Sequence, residues 1–239
     1  MNPFRRRIQT AMQSGGGAAA FSPTDIAGLQ LWLDASQIVG LNDGDSVATW
    51  SDLSGNANDF VQATGTSRPT YKTGIQNGLP AVQGDGVDDR LYCSTLVVSH
   101  PFTLFAVVKQ NNTNAAYVTD GDSGGARRNV LAFTVNADGS GKAGISNGAL
   151  LESAGSEVGA FKTLAWVQNG ATSKLFINAV EKISGNSGSA SINGFTLFNR
   201  HALNYPLNGY IAEMFLYGGV VADADRIRAQ SHLSSKWGT

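Results

Sequence analysis

The sequence predicts an all-β protein: a two-sheet antiparallel sandwich over residues 21–239, preceded by a short arm at 1–20 and closed by one C-terminal helix. Three observations carry this. Short apolar runs of strand length recur from Leu29 onward, separated by turn residues. Glycine is frequent, 29 of 239 residues, and charged residues are few, at 15%; that balance suits tight turns and covered strands. Only one late segment repeats its apolar residues at helical spacing.

The elements follow in order. In the arm, Asn2 and Pro3 suit a helix start, and Phe4, Ile8 and Met12 recur every four residues on one helical face. Arg5, Arg6 and Arg7 surround that stripe, and Gly15 to Gly17 end it. A helix this short is marginal alone in water, so the arm is expected to dock on a partner. "GLQLWLD" and "SVATW" open the strand series, followed by "LPAVQ" and "DRLYCS". "FTLFAVVKQ" is apolar on both alternating faces and is expected to be a central, covered strand. "NVLAFTV" and "KAGIS" flank one hairpin turn, and "FKTLAWVQ" and "SKLFINAV" flank Asn169-Gly170 at another. "FTLFNR" and "GYIAEMFLYG" complete the set. In the last segment Asp223 and Asp225 suit a first helical turn, Ala229, Leu233 and Trp237 form a narrow stripe, and Gly238 ends it. That helix is expected on the domain's surface with Trp237 tucked inward. The single cysteine, Cys93, rules out an internal disulfide and reads as a small buried thiol.

Taken in order, "LQLWLDAS", "VATWSDLSGNANDF", "GLPAVQGDGVDDRL", "FTLFAVVK" and "GYIAEMFLYGGVVADADRIRAQSHLSSKWG" resemble the laminin-G-like, concanavalin A-like jelly-roll domains found in phage structural proteins and bacterial surface proteins. The resemblance covers residues 21–239. It implies a jelly roll with one concave sheet and loops at its rim. Ala222 stands where such domains carry a capping Ser or Thr, and Asp223 is expected to take over the cap.

The chemistry is sparse. Glycosidases need two carboxylates projecting into one cleft, and no strand offers that pair; Glu213 stands alone and is expected to be structural. His100, His201 and His232 are far apart, with no nucleophile motif beside them. No catalytic residue, metal site or cofactor is therefore assigned, although the Asp-rich stretches 85–89 and 119–125 suit either a calcium loop or ordinary turns. Two rim loops are the glycan-binding candidates: 119–129 with Asp120, Asp122, Arg127 and Arg128, and 199–208 with Arg200, His201, Asn204 and Tyr205.

A net charge of −1 argues against general nucleic-acid binding, and no apolar run reaches spanning or signal-peptide length. These features together lead to one expectation: a non-enzymatic phage virion protein made in the host cytoplasm, a head decoration, fibre or tail-associated component. Phe4, Arg5, Arg6, Arg7, Ile8 and Met12 would anchor it to other virion proteins in an oligomeric assembly, and its lectin-like domain would meet a host-surface glycan. A bacterial carbohydrate-binding module, and then a glucanase-like hydrolase, are the alternatives.

Overall fold

A computed structural model describes residues 21–121, 129–133, 138–201 and 204–239. The anchoring residues Phe4, Arg5, Arg6, Arg7, Ile8 and Met12, and the loop residues Asp122, Arg127 and Arg128, lie outside them. The described strands, in chain order, begin with β1 (Leu29–Asp34), β2 (Thr49–Trp50), β3 (Phe60–Val61) and β4 (Thr70–Gln76). β5 (Leu79–Asp85), β6 (Leu91–Val98), β7 (Phe102–Gln110) and β8 (Ala116–Gly121) follow. Next come β9 (Val130–Phe133), β10 (Lys142–Ser146), β11 (Leu150–Ser156) and β12 (Lys162–Gln168). The last are β13 (Ser173–Ile177), β14 (Val180–Gly185), β15 (Ile192–Leu197) and β16 (Asn208–Gly218), before helix α1 (Asp223–Trp237).

They form two antiparallel sheets. The first runs β14-β13-β12-β7-β16-β5-β4, with β1 beside the far half of β16; the second runs β11-β10-β9-β8-β15-β6-β3-β2. β7 is central, between β12 and β16, and eight of its nine residues are buried, as its doubly apolar pattern requires. Alternation along these strands divides the first sheet's side chains. Leu104, Ala106, Val108, Leu164, Trp166, Met214 and Leu216 face the second sheet and join the main core with Cys93. Phe105, Val107, Ala165, Phe215 and Tyr217 face the other way, under Ala229, Leu233 and Trp237 of α1. Each large side chain so covered contributes ~1.5–3 kcal/mol relative to exposure.

Polar contacts then lock the helix down. Glu213 is fully buried on β16, and its carboxylate accepts from Trp32 Nε1 (3.0 Å), Lys236 Nζ (2.8 Å) and Trp237 Nε1 (2.7 Å). Lys236 also reaches Asp34 at 2.5 Å. Glu213 is thus consumed in holding α1, in line with a structural role. The expected cap is corrected: Ala222 is the N-cap with no side-chain bond, and Asp223 Oδ1 accepts from Arg226 Nε instead. Asp223 already lies inside the helix, so its side chain turns along the first turn rather than back over it.

The segment "SDLSGN" serves the fold as well. β1 pairs only with β16, which leaves an open edge. Asp52 accepts from Trp32 N, Asn58 N and the Ser54 hydroxyl; Leu53 N donates to Trp32 O; Asn56 and Asn58 amides donate to the Leu29 and Gln30 carbonyls. A loop thereby takes the place of a neighbouring strand.

Candidate functional site

The outer face of the second sheet is the counterpart of the surface α1 covers. In "RLYCST" the core takes Leu91 and Cys93, so Tyr92 must point outward. The register then carries one row across five strands: Asp120 on β8, Thr196 on β15, Tyr92 on β6, Val61 on β3 and Thr49 on β2. Tyr92 lies flat across β15 because Gly194 has no side chain there. A Cβ at Gly194 would sit 2.7 Å from the Tyr92 hydroxyl, and its φ of +82° favours glycine independently. The His201 ring packs against Tyr92 with centroids 5.4 Å apart.

The loop after β15 supplies the rest. His201 N donates to Asp120 Oδ2 at 2.9 Å, and Asn199 Oδ1 accepts from Arg200 N (2.8 Å) and Tyr205 N (3.1 Å). Tyr117 N on β8 donates to Tyr205 O at 3.0 Å, and the two tyrosine rings stack at 4.7 Å, within 10° of parallel. Arg200 stands over the Tyr205 ring, 5.9 Å from its centroid. Such ring pairs add ~0.5–1.5 kcal/mol beyond their burial. Tyr117 is fully buried with Val130 and Ala132, while Tyr92, Arg200, His201 and Tyr205 are half-exposed. The arrangement offers aromatic faces for the apolar side of a sugar ring, with guanidinium and imidazole groups beside them for hydroxyls.

The structure therefore brings together Asp120, near the end of β8, and Arg200, His201 and Tyr205 of the loop after β15, which are remote from it in sequence. Asp120 is buried and fastens that loop. Asn204 is exposed on that loop. Sequence reasoning missed Tyr92, whose signal was a tyrosine at an outward position between two core residues, and Tyr117, which occupies the same kind of position in β8.

Other chemical groups lie elsewhere. Asp85, Asp88 and Asp89 have carboxylate oxygens within 4.8 Å of one another, in the turn that crosses from β5 to β6. They also serve that turn: Asp89 Oδ2 accepts from Asp85 N, Asp85 Oδ1 from Val87 N, and Asp88 Oδ2 from the Ser67 hydroxyl. His232 belongs to α1, beside Phe21, where burial lowers its pKa.

No family model matches the sequence, and no curated protein does. Solved structures do match. Domain 4 of AbnA, a GH43 extracellular arabinanase from Geobacillus stearothermophilus, solved in complex with arabinotriose, aligns over 88% of this chain and 98% of that one, with a TM-score of 0.57 and 18% identity. Trypanosoma rangeli sialidase in complex with sialic acid aligns over 88% of this chain with a TM-score of 0.58 and 14% identity. This chain covers 33% of that sialidase. The fold is thus a two-sheet antiparallel sandwich of the concanavalin A-like kind, as in these structures.

Proposed function

We propose that the protein is a non-catalytic glycan-binding module whose site is the outer face of the second sheet around Tyr92, Arg200, His201 and Tyr205. The observation that carries this reading is the pair of aromatic platforms, Tyr92 with His201 and Tyr205 with Tyr117, held beside Arg200 on a lectin-like sandwich. A sugar ring has one apolar face and a rim of hydroxyls. It matches a half-exposed tyrosine flanked by hydrogen-bond donors. The solution of Domain 4 of AbnA with arabinotriose makes arabino-oligosaccharides the first ligands to try.

The placement of carboxylates supports binding over hydrolysis. Among the described residues no strand carries two of them, and the pair that the register sets opposite each other, Asp34 on β1 and Glu213 on β16, is buried and bound by Lys236 under α1. On the outer face of the second sheet, Asp120 on β8 and Glu152 on β11 are three strand spacings apart. That is ~14 Å, beyond the ~5–9.5 Å between the two carboxyl groups of glycosidases.

The narrower setting, a phage particle that holds residues 1–20 and displays the domain to a host-surface glycan, rests on the sequence pattern of the arm. The comparisons lend it no support, and the glycan-binding reading stands without it.

A glycan array followed by calorimetric titration tests the proposal. Binding that is lost on Tyr92→Ala and on Arg200→Ala is the expected result. Release of reducing sugar, or no binding to any glycan, overturns it.

A further inference from the structure

We infer that the site does not end at Tyr92 but continues along its cross-strand row to a pocket at the edge of the sandwich, so that the ligand is a linear oligosaccharide laid across the strands rather than a single terminal sugar. This inference rests on the glycan-binding reading. Asp120 and Thr196 at the start of the row are buried, so its accessible part runs from Tyr92 through Val61 to Thr49, two strand spacings or roughly 10 Å. It ends at Thr49, which lines an edge pocket of about 210 Å³ together with Asp34, Gln37, Val39, Ser51 and Leu53.

Two features give the far end the chemistry of a sugar subsite. The first is polar. Gln37, Thr49 and Ser51 offer an amide and two hydroxyls, while the Asp34 carboxylate is already held by Lys236 and Ser36. Neutral donors and acceptors without a free charge suit hydroxyl groups better than an ionic ligand. The second is apolar. Three of the eight exposed large hydrophobic residues among the described ones meet here: Val39 (89%), Leu53 (37%) and Val61 (51%). Val61 pairs with Thr49 in the register, and Val39 and Leu53 border the pocket. Exposed aliphatic side chains gathered at one place mark a contact surface. A protein partner would use the same apolar residues, but it would not draw on a track that begins at an aromatic platform and ends among the hydroxyls of Thr49 and Ser51.

The test is calorimetric titration of the full chain with ladders of arabinan, xylan, β-glucan and polysialic-acid fragments, from mono- to hexasaccharide. Affinity for the ladder that binds should rise by about tenfold or more between the disaccharide and the longest chain. Val61→Glu and Gln37→Ala should cancel that gain and leave disaccharide binding unchanged, whereas Tyr92→Ala should remove both. Amide shifts of Thr49 and Ser51 in nuclear magnetic resonance spectra should move with the hexasaccharide and not with the disaccharide. These readouts do not depend on how stable the variants are. Binding that is independent of length, with still amides at the edge, overturns the inference and leaves the glycan-binding site intact. Absence of binding to every ladder overturns both.

Discussion

The outer faces of the two sheets arise from the same strand alternation and meet opposite fates. On the first, Phe105, Val107, Phe215 and Tyr217 lie under α1, and two buried strand carboxylates, Asp34 and Glu213, both hold Lys236 of that helix. On the second, a loop covers Tyr117, Val130 and Ala132 but leaves Tyr92, Arg200, His201 and Tyr205 half-exposed. Outward apolar residues thus do not mark a site by themselves. What distinguishes the second face is a second ring pair, Tyr205 stacked on Tyr117, and donors carried on a loop fastened by Asp120 and Asn199.

The contrast can be broken most forcefully on the first face. Glu213→Ala leaves two tryptophan N–H groups without their acceptor and Lys236 with Asp34 alone. It should cost about 3–5 kcal/mol in denaturant unfolding, while glycan affinity per folded molecule stays unchanged. The second face should respond the other way: Tyr92→Ala should cost ~2 kcal/mol or more of binding, as expected when a central aromatic contact is removed, with little change in unfolding. Gly194→Ala tests how the platform is held. Its Cβ meets the Tyr92 hydroxyl and its backbone is left-handed, so it should lose ~1–3 kcal/mol of stability, and binding should fall with the displaced ring.

The smallest expected effect lies in the crossover between the sheets. Burial, helped by the charges of Asp85 and Asp88 and partly offset by the Asp85 N–H, pushes the Asp89 carboxyl up to about 6 from 3.8. A carboxyl with a raised pKa binds its proton more tightly in the folded state. Its contribution to stability therefore grows as pH falls from about 6 to about 4 and is lost above that window. At ~1.4 kcal/mol per unit the shift sets an upper bound near 3 kcal/mol. Solvent around the exposed Asp85 side chain reduces this to about 1 kcal/mol. Asp89→Asn should therefore stabilise the protein by that amount at pH 7 and by nothing at pH 4, as read from paired unfolding curves.

Much of the fold was legible because it rests on local periodicity. The doubly apolar β7, the pairing of β9 with β10 and of β12 with β13, and the Ala229, Leu233, Trp237 stripe each declare themselves within a few residues. The site was legible in part, because loop composition alone singled out Arg200, His201 and Tyr205. Tyr92 and its row were not, since they depend on register between strands about thirty to a hundred residues apart, adjusted by a bulge between Asn193 and Phe195. Glu213 was expected to be structural, but its partners Trp32, Lys236 and Trp237 were not legible, because they are distant in sequence. The Asp223 cap failed on a single residue's displacement, which periodicity does not resolve.

Each outer face carries a half-exposed tyrosine beside a basic side chain: Tyr92 with His201 on the second sheet, and Tyr210 with Lys109, 5.8 Å from its ring, on the first. The most direct measurement is therefore calorimetric titration of one array-identified oligosaccharide into the wild type, Tyr92→Ala and Tyr210→Ala. Binding that is lost with Tyr92→Ala and kept with Tyr210→Ala is the result this account requires. Binding kept with Tyr92→Ala and lost with Tyr210→Ala would place the ligand on the wrong sheet and contradict it.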